Sequence, residues 1–108
     1  MGRIAASQDP FRAVADPGRR KMLDAMLKGE RSVGALTQIL GISQPAVSQH
    51  LQVLKQAGLV TERRAGRNRY YQVNAPELQI IADWLAKYEM FWNDRLGALH
   101  AHLAGRKQ

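Results

Sequence analysis

Apolar positions recur at helical spacing in two adjacent stretches near the middle of the chain. In SVGALTQIL, Val33, Leu36, Ile39 and Leu40 share one side, and in SQPAVSQHLQVLKQAG, Val47, Leu51 and Leu54 do the same. Ser32 precedes the first stretch and Gly41 follows it. Ser43 precedes the second, with Pro45 in its first turn and Gly58 at its end. A serine hydroxyl can accept from the free N–H groups of a first turn, and glycine takes the left-handed conformation that closes a helix. Upstream, Asp9-Pro10 and Asp16-Pro17 mark two more helix starts, the second leading through LDAML to a stop at Gly29.

The pattern then changes period. VTERRAGRNRYYQV reads as two extended segments around Gly66 and Asn68, a β-hairpin, with Tyr71 and Val73 alternating on the strand face expected to anchor on the core. Asn74, Pro76 and Glu77 resemble a capping-box start. The last helix is expected from about residue 75 to about Leu103, long for a globular helix. It carries one stripe of Leu78, Ile81, Leu85, Tyr88, Trp92, Leu96, Leu99 and Leu103, and a second of Ile80, Trp84 and Phe91. No repeat or linker interrupts the chain. The expectation is one domain, residues 1–108 with a tail from 104, mainly α with one β-hairpin.

The two central helices meet at GIS, a three-residue connection led by glycine, which is helix-turn-helix geometry. Opposite the apolar side of the second helix lie Pro45, Ser48, Gln49, Gln52 and Gln56, with Lys55 at the edge. Short uncharged donors and acceptors suit a helix that lies between phosphate walls and meets base edges in a major groove. The plainer reading is a solvated helix face. The hairpin weighs against it, because four of the seven residues 63–69 are arginine: Arg63, Arg64, Arg67 and Arg69. A basic loop there, with Asn68 at its turn, can reach phosphates or the adjacent minor groove. A charged tip that resists edge aggregation is the alternative. A groove-reading helix followed by a basic wing is a winged helix-turn-helix.

Charge follows the same division. The whole chain is +7, and residues 41–73 hold five basic side chains against Glu62 alone, whereas residues 77–103 hold four acids against Lys87 and Arg95. Concentrated positive charge is an electrostatic footprint of nucleic-acid binding. No apolar run approaches the ~20 residues of a membrane span, and MGRIAASQDP lacks a secretory core, so a soluble cytoplasmic chain is expected. Cysteine is absent, which excludes disulfides and thiolate metal sites. The acids and three histidines show no catalytic spacing, so no enzyme is expected.

FRAVADPGRRKMLDAML, SVGALTQILGISQPAVSQHLQVLKQAGLV and RRAGRNRYYQV together resemble the ArsR-type winged-helix repressors of bacteria over nearly the whole chain. SQPAVSQHL followed by LKQAGLV is specific to that group. The resemblance implies a homodimeric repressor of double-stranded DNA whose first and last helices pair across a two-fold axis. It puts Ser43, Gln44, Ser48, Gln49 and His50 in the DNA-reading helix and Arg67 and Arg69 in the wing. Phe11 on the first helix and Leu78, Ile81, Leu85, Tyr88, Trp92, Leu96 and Leu99 on the last are then the expected dimer interface. The double stripe supports this, since a chain of 108 residues with one core cannot cover both sides of so long a helix.

Two departures from that group bear on the signal it answers. Metal-sensing members carry cysteines near the first helix of the reading pair, or an Asp-x-His with a later His on the last helix. Here the first segment is ALTQIL, and Asp83 is followed two residues on by Leu85. His100 and His102 point about 200° apart on a helix, too divergent to chelate one ion without a partner chain. No cofactor or metal is expected, while an apolar effector near Trp84 and Met90 stays open as an alternative to core packing. His50 is as readily a half-packed structural imidazole as a base contact. A non-specific architectural DNA binder is the competing class, but it needs lysine-rich contacts and apolar wedges rather than Ser and Gln.

Overall fold

The computed structural model describes residues 8–92. Its elements are α1 (Pro10–Val14), α2 (Pro17–Ala25), β1 (Arg31–Ser32), α3 (Val33–Leu40), α4 (Gln44–Gln56), β2 (Val60–Ala65), β3 (Asn68–Val73) and α5 (Ala75–Ala86). The starts are capped as the residues dictate. Asp9 accepts from the Phe11 N–H at 2.9 Å, Asp16 from Arg19 at 3.0 Å, Ser32 from Ala35 at 3.1 Å and Ser43 from Ala46 at 3.3 Å. Arg19 and Arg20 reach back to donate to the carbonyls of Ala13 and Val14 at 2.6 and 2.7 Å, satisfying the free end of α1.

The end of α4 shows why glycine stands at position 58. Gly58 has φ 79°, its N–H meets the Lys55 carbonyl, and the Leu59 N–H meets that of Leu54 at 2.9 Å. This double closure needs the left-handed residue. It also brings Leu54 and Leu59 together, both fully buried. They join Met22, Met26, Leu36, Val47, Leu51, Val60 and Tyr71 in one core under the helix-turn-helix, with Val73 packed at its margin. Among the described residues no helix is long and apolar enough to cross a membrane.

The structure adds two details to the expected elements and corrects two others. The hairpin is part of a three-stranded antiparallel sheet of order β1-β3-β2, because Arg31 and Ser32 pair with Tyr71 and Tyr70. Ile39 lies 54% exposed, since the core takes its neighbour Leu36. Asn74 makes no cap: its Nδ2 donates to the Gly58 carbonyl at 2.9 Å, tying the end of β3 to the end of α4. The last helix is not continuous, for α5 ends at Ala86 and a turn at 87–88 precedes helix at 89–92. No residue of α5 is buried, and helices of this length are held mainly by packing. The rest of that expected helix, including Leu96, Leu99, Leu103, His100 and His102, lies outside the described residues.

Candidate nucleic-acid interface

Burial of Val47, Leu51 and Leu54 at 1% exposure or less fixes the roll of α4. The opposite side is therefore turned outward, and Ser43, Gln44, Pro45, Ser48, Gln49, Gln52, Lys55 and Gln56 are all exposed. Ser43 is also the cap, so its hydroxyl is shared with the Ala46 N–H. His50 turns away from this row. Its imidazole is 24% exposed and its Nε2 lies 4.0 Å from Asp16 Oδ2, over the start of α2.

The wing returns toward the start of α4. β2 and β3 pair from Val60↔Val73 to Ala65↔Asn68, leaving a two-residue loop of Gly66 and Arg67. Only the first loop residue has positive φ, 62° at Gly66, which is the type II′ hairpin turn matched to strand twist. Arg67, Asn68 and Arg69 then line one cleft of about 470 Å³ with Gln44 and Ser48 of α4 and Ser32, Val33 and Gly34 at the start of α3. The contribution of Ser32–Gly34 is absent from the sequence reading, where Ser32 figures as a cap alone. The β1–β3 pairing that brings it there is carried by two residues and leaves no local signal.

The four wing arginines are not equivalent. Arg63 donates from Nε and Nη2 to both Glu30 oxygens and sits 4.7 Å over the Tyr70 ring. That contact holds the Glu30 carboxyl below its ordinary range. Arg63 is thus tied to the loop before β1. Arg64 and Arg69 stand directly opposite on the other strand face, and like charges so placed repel unless an anion joins them. Lys55 is also engaged, its Nζ 2.9 Å from Glu62 Oε1, while Tyr71 donates its hydroxyl to Glu62 Oε2 at 2.8 Å. These two hydrogen bonds, that from Lys55 first, lower the Glu62 carboxyl; burial, then the bond to Glu62, raises the Tyr71 phenol.

A second surface is apolar. Phe11 of α1 meets Trp84 of α5 edge-on at 5.7 Å, Trp84 meets Tyr88 at 5.3 Å, and Tyr88 meets Phe91 at 6.4 Å. Ile80, Trp84, Leu85, Tyr88 and Phe91 remain 39–74% exposed. The residues expected at the interface divide accordingly. Leu78 packs on the chain's own core, and Ile81 lines a hollow with Val14, Leu23, Leu27 and Val73, so both face inward. Ile80, Trp84 and Phe91, the second stripe, stand out instead beside Leu85 and Tyr88, while Trp92 is half-buried. Periodicity shows two stripes, but only the packing of Leu78 tells which meets the core.

Residues 16–62 match the family described as bacterial regulatory protein, arsR family. The transcriptional repressor SdpR of Bacillus subtilis is 37% identical over 78 residues, covering 72% of this chain and 87% of that protein. The chain belongs to the arsR family. The HTH-type transcriptional regulator Rv2034 of Mycobacterium tuberculosis is 41% identical over 86 residues, covering 80% of this chain and 78% of that protein. The fold agrees as well. The solution structure of the homodimeric winged helix-turn-helix DNA-binding domain Mb0332 of Mycobacterium bovis, described as a possible ArsR-family regulator, superposes with a TM-score of 0.62. It is 32% identical and covers 73% of this chain and 75% of that one. An arsR-family chain of this kind is a DNA-binding transcriptional regulator.

The metal-sensing pattern of the family does not fit α3. That helix, VGALTQIL, offers only Thr37 and Gln38 as side-chain donors, and the Thr37 hydroxyl is engaged by the Val33 carbonyl at 2.8 Å. Neither the wing cleft nor the hollow beside Ile81 is lined by Trp84 or Met90.

Proposed function

We propose that this arsR-family regulator is a homodimeric repressor that binds an inverted-repeat operator, with α4 in the major groove and the wing on the backbone or in the adjacent minor groove. The observation that carries it is the single cleft in which uncharged Gln44 and Ser48 lie beside Arg67 and Arg69. Hydrogen-bonding groups at the groove floor and cations at its wall divide the work between reading and gripping. The exposed aromatic row from Phe11 to Phe91 supports pairing through α1 and α5. Two α4 helices of such a dimer address half-sites roughly 34 Å, one DNA turn, or a small multiple apart.

The test uses a duplex selected by the wild-type chain from a randomised pool and a scrambled duplex, each across a salt series. Gln49→Ala should cost about 1–3 kcal/mol on the selected duplex and much less on the scrambled one. Arg67→Ala should weaken both alike and flatten the salt dependence by about one unit for each phosphate it no longer neutralises. Identical behaviour of the two variants would remove α4 as a reading surface and leave a non-specific architectural binder.

A further inference from the structure

The wing face that carries Arg64 and Arg69 also carries Glu62, whose side chain is only 13% exposed. Its carboxylate joins three elements. Oε1 takes the Lys55 ammonium from the last turn of α4, and Oε2 takes the hydroxyl of Tyr71 on β3. Arg69 Nε stands 3.8 Å from the same Oε2. Tyr71 is itself 6% exposed in the core, so the carboxylate is held from beneath rather than resting on the surface. We infer that Glu62 is a positioning residue for specificity: it locks the wing to the end of the reading helix and keeps Lys55 and Arg69 from indiscriminate contact with phosphate.

Two consequences follow from the geometry, both resting on the DNA-reading function proposed above. With the wing fixed on α4, the point at which Arg67 meets the backbone is set by where α4 lies in the groove, so a misplaced α4 also misplaces the grip. Phosphate contacts fix register in this way without reading sequence. The second consequence is electrostatic. Without Glu62, Lys55, Arg64 and Arg69 form a row of uncompensated cations, and each additional phosphate they neutralise steepens the salt dependence by about 0.9. Affinity for any DNA then rises, and the margin between correct and incorrect sites shrinks.

Glu62→Gln keeps the shape and an oxygen for Tyr71 while removing the charge. On a random-sequence duplex it should bind about ten-fold tighter at low salt, with a slope steeper by one to two units per protomer. Preference for the selected duplex should fall several-fold. In a Lys55→Gln background the gain from Glu62→Gln should shrink, because one of the released cations is gone. Wild-type slope and affinity on the random duplex would overturn the inference, as would weaker binding to both duplexes with the slope unchanged, the mark of a merely structural role. The random-duplex slope decides this by itself. Loss of preference in the wild-type chain would sink the reading function instead, so the two failures are distinct.

Discussion

α4 and α5 are nearly equal in length, 13 and 12 residues, and the chain treats them in opposite ways. Each inward side chain of α4 is sealed, and its ends are closed by the Ser43 cap and the Gly58 turn. α5 buries no residue, its Asn74 side chain is diverted to Gly58, and its apolar row runs exposed into a turn at 87–88. The winged body closes on its own core and turns a polar face outward. The α1–α5 face has aromatic side chains stacked on one another and, among the described residues, nothing of this chain over them. One region suits a hydrated polyanion; the other leaves an apolar surface exposed, the kind of patch that marks an interaction site.

The sharpest way to break this contrast is to remove the same atoms from both regions. Leu54→Ala, at a site of no exposure, should lower the unfolding free energy by about 2–5 kcal/mol. Leu85→Ala, at 40% exposure, should cost the protomer less than about 1 kcal/mol. Its effect should instead grow on dilution, as expected when stability is linked to association. Denaturation across a range of protein concentrations distinguishes them. Equal, concentration-independent losses would mean that α5 is part of an ordinary core.

Trp84 sits between Phe11 and Tyr88 at the middle of the aromatic row. Central aromatic anchors of interfaces are worth about 2 kcal/mol or more, and a two-fold dimer contains each of them twice. Trp84→Ala should therefore raise the dimer dissociation constant by roughly 10³-fold, read by sedimentation. Unchanged association would move the interface elsewhere.

These two regions also differ in how far the residues alone revealed them. Caps and stops at Asp9, Asp16, Ser32, Ser43, Gly41 and Gly58 act within a few residues, so the helices before the wing were legible locally. Val47, Leu51 and Leu54 needed only a period of 3.6. The wing loop at Gly66-Arg67 was visible for the same reason. What escaped depends on distant partners: β1 exists because Tyr70 and Tyr71 lie beside it, and Arg63 is engaged by Glu30, far from it in the chain. Asn74 looked like a cap because its neighbours fit one, yet Gly58, sixteen residues earlier, takes its side chain. The assignment of Leu78 to the core and Trp84 to the surface likewise rests on how α5 lies against the body.

The smallest expected effect is on the pH dependence of stability, and it belongs to one region. Asp16, Glu30 and Glu62 are all lowered in the folded chain, by the Arg19 N–H, by Arg63 and by Lys55 respectively, and all three lie in the winged body. A carboxyl with a lower pKa when folded binds fewer protons than in the unfolded chain. Its stabilisation is complete above the unfolded value, for glutamate ordinarily 4.5, and is lost as pH falls through the folded value. Stability should thus be flat near neutrality and decline with acid below that point. Partial exposure of Asp16 and Glu30 keeps the decline modest. Combined Glu30→Gln and Glu62→Gln substitution should make it shallower, whereas Trp84→Ala, at matched degree of association, should leave its slope unchanged. Thermal unfolding from pH 7 down to about 3 measures this. A slope indifferent to the two glutamines, or one altered by Trp84→Ala, would mean that the acid-sensitive contacts lie outside the winged body.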